Sequence, residues 1–121
     1  MILEFSVQNF RSIKEMQTLS MVAAPLKSKN PQLDKDNVIR VSDKLSLLKS
    51  AAIYGANGSG KSNFINAISS MRSFMELSMN YENAVMTTYQ PFFLNNTSPK
   101  EPTYYQMQFL IGEKNTVMDL K

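Results

Sequence analysis

Residues 55–63 read GANGSGKSN, and no other stretch of the chain limits its fold so tightly. Gly55, Gly60, Lys61 and Ser62 satisfy the spacing G-x-x-x-x-G-K-[ST]. With glycine at about 7% of residues, and lysine and serine or threonine similarly common, a chance match in a chain of this length has odds of roughly one in two hundred. The spacing has a mechanism behind it. Glycines let a tight loop take positive φ, so that backbone N–H groups converge on phosphate oxygens. A helix beginning near the lysine adds unpaired N–H groups and the positive end of its dipole. In that arrangement Lys61 serves the β- and γ-phosphates and Ser62 ligates Mg²⁺. The competing reading is a glycine-rich turn with an incidental exposed lysine.

The flanks supply the context that such a loop needs. Residues 51–54 (AAIY) are short and apolar and run straight into glycine, which predicts a buried strand feeding the loop. Beyond it, Phe64, Ile65, Ala67, Ile68, Met71, Phe74, Met75 and Met79 recur at spacings of three and four, which predicts an amphipathic helix. At the N-terminus Met1, Leu3, Phe5 and Val7 alternate with polar residues, the period of a half-buried strand. Residues 9–14 (NFRSIK) then turn, and residues 15–23 return as a second strand of an antiparallel hairpin. Residues 25–37 carry two prolines and mixed charges and are expected to form an exposed loop. A short strand is expected at 38–41. Residues 103–111 place Tyr105, Met107, Phe109 and Ile111 on one strand face, and residues 112–115 (GEKN) turn the chain into a further strand at 116–120. The fold class is therefore α/β, with antiparallel strands before a strand, phosphate loop and helix unit, and more strands after it.

Composition removes several kinds of chemistry. The chain has 121 residues, room for one modest core, with 43% apolar and 19% charged residues, so disorder is excluded. It has no cysteine and no histidine, which rules out disulfides, Cys/His zinc sites and imidazole chemistry. No apolar run approaches a membrane span and the first ten residues lack the pattern of a secretory signal, so a cytoplasmic chain is expected, with no membrane partner. A net charge of +3 permits an acidic ligand without arguing for nucleic acid.

Other residues carry weaker signals. Arg11 lies in the turn after the first strand, where it reaches phosphate or is simply solvated. Gln90, in TTYQPFF, is a candidate for contact with the metal or the attacking water. Lys27, Lys29 and Lys35 read best as a solvated loop, and the Met-rich helix face as core. Asp119 ends a run that is too short and polar to read well as a strand-end carboxylate on Mg²⁺.

Taken together, a first strand running into NFRS, a second carrying QTLSMVA, then YGANGSGKSN and a helix beginning FINAI resemble the N-terminal lobe of the ATPases that include RecF, Rad50 and the SMC proteins. Within that group the chain is most similar to the bacterial AAA15 (AAA_21-type, OLD-like) ATPases often found in anti-phage defence and abortive infection. Asn57 within the loop and Asn63 just after Ser62 are typical of the broad group. QPFFLNN, followed after a gap by YYQMQFLI, is similar to the segment that AAA15 proteins carry after the first helix. The resemblance implies an ATP-binding-cassette-like head that closes as a homodimer or higher oligomer over Mg²⁺-ATP and drives or switches an attached effector, such as a nuclease acting on DNA. It implies nucleotide contacts from Gly55, Ala56, Asn57, Gly58, Ser59, Gly60, Lys61, Ser62 and Asn63, and it raises Arg11 to a second-rank contact. The signature loop, the acidic strand end and the catalytic glutamate of those ATPases have no convincing counterpart here. The chain is thus expected to be the front lobe of a larger protein whose C-terminal half completes the ATPase, and to hydrolyse ATP poorly or not at all by itself.

Two further readings stay open. A small P-loop kinase would use the same loop, but such kinases usually carry it on their first strand, whereas some fifty residues precede it here; acceptor-dependent turnover of ATP would mark it. A non-catalytic assembly module with a vestigial nucleotide site would oligomerise without nucleotide and be indifferent to changes at Lys61.

Overall fold

The computed structural model describes residues 1–77, 89–112 and 114–120; for 114–118 and 120 it describes the backbone alone. The alternation at the N-terminus becomes β1 (Ile2–Gln8), one of the two inner strands of a four-stranded antiparallel sheet. Its partners are β2 (Gln17–Ser20) on one side and β5 (Tyr104–Ile111) on the other; β6 (Lys114–Leu120) forms the far edge. Phe5 faces Leu19 and Met107, and Val7 faces Gln17 and Tyr105. The hairpin is the expected one. Only Gln17–Ser20 of the expected second strand joins this sheet, because beyond it the chain changes partner: Met21 and Ala23 bond to Leu48 and Ser46.

Those two residues belong to a small second sheet of β3 (Val38–Arg40) and β4 (Ser46–Leu48). Ahead of it stands a correction to the expected loop at 25–37. Its last seven residues form helix α1 (Pro31–Asn37), with the Asn30 side chain accepting from the Gln32 N–H at 3.0 Å. Asparagine caps the helix and proline, which needs no donor in the first turn, starts it, so two residues that read as loop punctuation are helix-start signals here. Lys35 lies on that helix; Lys27 and Lys29 precede it, exposed as expected.

The amphipathic segment is helix α2 (Lys61–Leu77). Its buried face, Ala67 and Met71 with Phe64, Ile68 and Met75 beside them, packs on Phe5, Val7, Phe10, Ile13, Tyr105 and Met107. The Phe64 ring meets Phe5 edge-on, with centroids 5.7 Å apart. Ile65 stays half exposed despite its place in the periodic set, and Met79 lies outside the described residues. In β5 the expected face holds for Tyr105, Met107 and Phe109, but Ile111 is exposed at the strand end. The following turn is tighter than expected, with β6 beginning at Lys114.

The strand expected at 51–54 is absent. Residues 51–54 are exposed, and Tyr54 is 92% accessible. A strand exists through its ladder, and among the described residues none runs beside this segment to accept its N–H groups. The loop is therefore held from its helical side: Phe64 N–H bonds to the Gly60 carbonyl at 3.0 Å, while its ring is anchored in the core.

Candidate functional site

Gly55, Ala56, Asn57, Gly58, Ser59 and Gly60 form a loop, and Lys61, Ser62 and Asn63 make up the first turn of α2. Gly60 has φ +95° and Gly58 φ +80°, conformations that side chains with a Cβ rarely adopt. At Gly55 a Cβ would stand 3.0 Å from the Ser59 hydroxyl, a tight contact that the exposed Ser59 side chain would have to yield. Lys61 closes the loop. Its Nζ donates to the carbonyls of Gly55 at 2.6 Å and Ala56 at 2.7 Å, with the Ser59 Oγ at 3.4 Å. A compact cation is thus fixed against the loop, at the positive end of a 17-residue helix whose first turn has no acidic residue.

Two hollows adjoin this loop. The larger, about 510 Å³, lies between the β1–β2 turn and the loop; Glu15, Gln17, Ile53, Tyr54 and Phe64 are among its lining residues. The smaller, about 260 Å³, lies over the head of α2, against Asn57, Gly58, Ser62 and Asn63. Ser12, Gly60 and Lys61 line both. Both are open to solvent on one side and suit a polar, extended ligand better than a compact apolar one.

The β1–β2 turn that forms the opposite wall is built differently. Asn9 and Arg11 have φ +55° and +48°, left-handed values at residues that carry side chains. Tertiary bonds hold them there. The buried Asn9 amide donates to the carbonyls of Ser98 at 2.8 Å and Glu101 at 2.9 Å, and its Oδ1 accepts from the Phe92 N–H at 2.9 Å. The Asn9 carbonyl accepts from the buried Thr103 hydroxyl at 2.7 Å. Phe10 and Ile13 exchange backbone bonds at 2.8 Å and insert into the core. Arg11 donates its backbone N–H to the Gln90 carbonyl at 2.7 Å, and its Nε donates to the Gln90 Oε1. The two second-rank site residues are therefore bound to each other, and neither lines either hollow. The guanidinium also lies 5.4 Å from the centre of the Phe10 ring.

Ser12 is the residue that sequence reasoning passed over. Its Oγ accepts from Asn63 Nδ2 at 2.7 Å, across 51 positions of chain. The only local signal was its place in the same turn as Arg11. Asp119, the discounted carboxylate, accepts from Gln106 Nε2 at 2.7 Å across the β5–β6 pair; desolvation first, and then the charge of Asp119, hold the Tyr104 hydroxyl above its ordinary range. Burial pushes the Tyr105 hydroxyl up to about 12, against weaker opposing effects from Arg11 and Ser70. Among the described residues no partner completes a well-formed hydrogen bond to it.

Loop, lysine and helix together define the class of P-loop nucleoside triphosphatases. Residues 50–116, more than half of the chain, match the model of the family described as AAA domain, putative AbiEii toxin, Type IV TA system, and the chain belongs to that family, AAA_21. No curated protein and no solved structure matches it. Among the described residues no helix is long and apolar enough to cross a membrane.

Proposed function

We propose that this chain is the nucleotide-binding lobe of an ATPase head of the AAA15, OLD-like kind within the RecF, Rad50 and SMC group, and that in its complete form the head binds and hydrolyses Mg²⁺-ATP to drive or switch an effector. The observation that carries the reading is the Lys61 ammonium fixed on the Gly55 and Ala56 carbonyls at the head of α2, beside two glycines with positive φ. A phosphate chain laid there meets a cation, backbone donors and a helix N-terminus together, and Lys61 turns from the loop carbonyls to the phosphate oxygens as it binds. Residues 55–60 orient the phosphates, Lys61 offsets their charge, and the exposed Ser62 hydroxyl is the first candidate to hold Mg²⁺; Gln90, which lines neither hollow, is a second only if its Oε1 leaves Arg11. When bound, the metal supplies charge neutralisation on the phosphate oxygens. Arg11 acts jointly with Gln90, to which it is bonded.

The packing favours this reading over a kinase: the loop helix lies on an antiparallel sheet formed by strands from both sides of the loop in sequence. The unpaired residues 51–54 fit a lobe completed by further strands. The family's description names a putative toxin of a Type IV toxin–antitoxin system; we extend this to a role in phage defence or a related DNA process in the cytoplasm, exercised by a dimer or larger assembly. Calorimetric titration of Mg²⁺-ATP into wild type and Lys61→Ala, with light scattering on the same samples, tests the reading. Binding that vanishes in the variant is expected, with little turnover by the chain alone; equal binding by both proteins sinks it.

A further inference from the structure

We infer that Ser12 is a positioning residue for the phosphate loop, its hydroxyl holding Asn63, and with it the first turn of α2, in register with the β1–β2 turn. The inference rests on the nucleotide-binding reading and adds to it a part of the site that lies outside the loop motif.

Three observations converge on Ser12. Its Oγ accepts from Asn63 Nδ2 at 2.7 Å, a direct link between the turn and the helix head. A Cβ built on Gly60 would stand 3.4 Å from that same oxygen, so the hydroxyl lies against the backbone at the point where the loop reverses with φ +95°. Ser12, Gly60 and Lys61 are also common to the two hollows, which places Ser12 at the junction between the head of α2 and the space beside the β1–β2 turn.

An exposed hydrogen bond positions a loop only if its far end is fixed, and here it is. Ser12 lies between Phe10 and Ile13, both buried and bonded to each other at 2.8 Å. The preceding residue is tied through its backbone to Gln90, and Asn9 is locked to Ser98 and Glu101. The segment that reaches Asn63 is therefore a rigid post. Residues 51–54 supply no comparable support from the other end, since no strand among the described residues pairs with them. Ser12 compensates by holding the loop from the side.

The test is calorimetric titration of Mg²⁺-ATP into wild type, Lys61→Ala, Ser12→Ala, Ser12→Thr, Asn63→Ala and the Ser12→Ala/Asn63→Ala pair, with a melting curve for each. Loss of one hydrogen bond should weaken binding by roughly three- to tenfold in Ser12→Ala and Asn63→Ala, at a melting temperature close to that of wild type. The double variant should bind no worse than the weaker single, because the two side chains act through one contact. Threonine at position 12 keeps the hydroxyl and should restore binding to within about twofold of wild type. Wild-type binding that is lost in Lys61→Ala but unchanged in Ser12→Ala, or single effects that simply add in the double, overturns the inference and leaves the nucleotide reading standing. Weakening that follows a lowered melting temperature and is not restored by threonine marks a general defect of the fold, and also overturns it. A folded wild-type chain that takes up no Mg²⁺-ATP brings down the nucleotide reading, and the positioning role falls with it.

Discussion

The phosphate loop and the β1–β2 turn face each other across the same hollow, and both depend on left-handed backbone, but they reach it by opposite routes. The loop uses glycine at positions 58 and 60, where the conformation costs little, and its lysine bonds only within the loop, to the Gly55 and Ala56 carbonyls, at the edge of both hollows. The turn uses Asn9 and Arg11, where the conformation is less favourable, and holds them with bonds to residues 90–103. A region that must receive a ligand keeps its polar groups accessible, whereas a region that must hold still spends them internally.

If that contrast is right, damage to the turn should appear in stability and damage to the loop in binding. The largest effect belongs to Asn9→Ala, which removes the bonds to the Ser98 and Glu101 carbonyls, leaves the Phe92 N–H without its acceptor and puts an alanine at φ +55°. Urea unfolding should show a loss of about 3 kcal/mol; a loss under 1 kcal/mol would mean that the turn is not the fixed wall described here. Next, Lys61→Ala should weaken Mg²⁺-ATP by about 100-fold, the value of a charged contact, while its unfolding curve stays close to that of wild type. A matching loss of stability would break the contrast from the loop's side.

Tyr105 gives a smaller, pH-dependent reading of the turn's own core, since its ring packs on Phe10 with centroids 6.0 Å apart. Its hydroxyl is raised from 10 to about 12 in the folded chain by burial. Folding therefore favours the neutral form: this stability is fully present below pH 10 and is lost as pH rises from 10 towards 12, where the unfolded chain ionises first. The loss should be about 2 kcal/mol in wild type and absent in Tyr105→Phe, as read by chemical unfolding across that pH window. Because no well-formed hydrogen bond reaches the hydroxyl among the described residues, Tyr105→Phe should cost little at pH 7. The smallest effect is expected for Arg11→Gly. Relief of the left-handed conformation offsets the lost side-chain bond to Gln90, and unfolding should move by less than about 0.5 kcal/mol.

The same contrast explains what could be read from the sequence. The loop motif is local, and its glycines, Lys61 and the periodic face of α2 declare themselves within some twenty residues of chain. β1, β2 and β5 were legible for the same reason, since alternation is a short-range signal. The absent strand at 51–54 was misread because an apolar tetrapeptide looks like a strand whether or not a neighbour exists to pair with it. Helix α1 was hidden by Asn30 and Pro31, which serve a loop and a helix start equally well. Ser12 and Asn9 could not be assigned at all: the contact of one lies 51 positions away, and those of the other about 90.

That last separation also fixes an order of events in folding. Asn9 precedes by some ninety positions the carbonyls and the N–H that hold its left-handed turn, which come from residues 92–101. Closing so long a loop is slow compared with forming α2, whose contacts are local. The helix and its glycine loop can therefore take shape early, while the wall opposite them, with Ser12 at its tip, is set only after β5 has docked on β1. The candidate site is in this sense a late product of folding, assembled from a segment that is ready at once and another that must wait for residues some ninety positions further on.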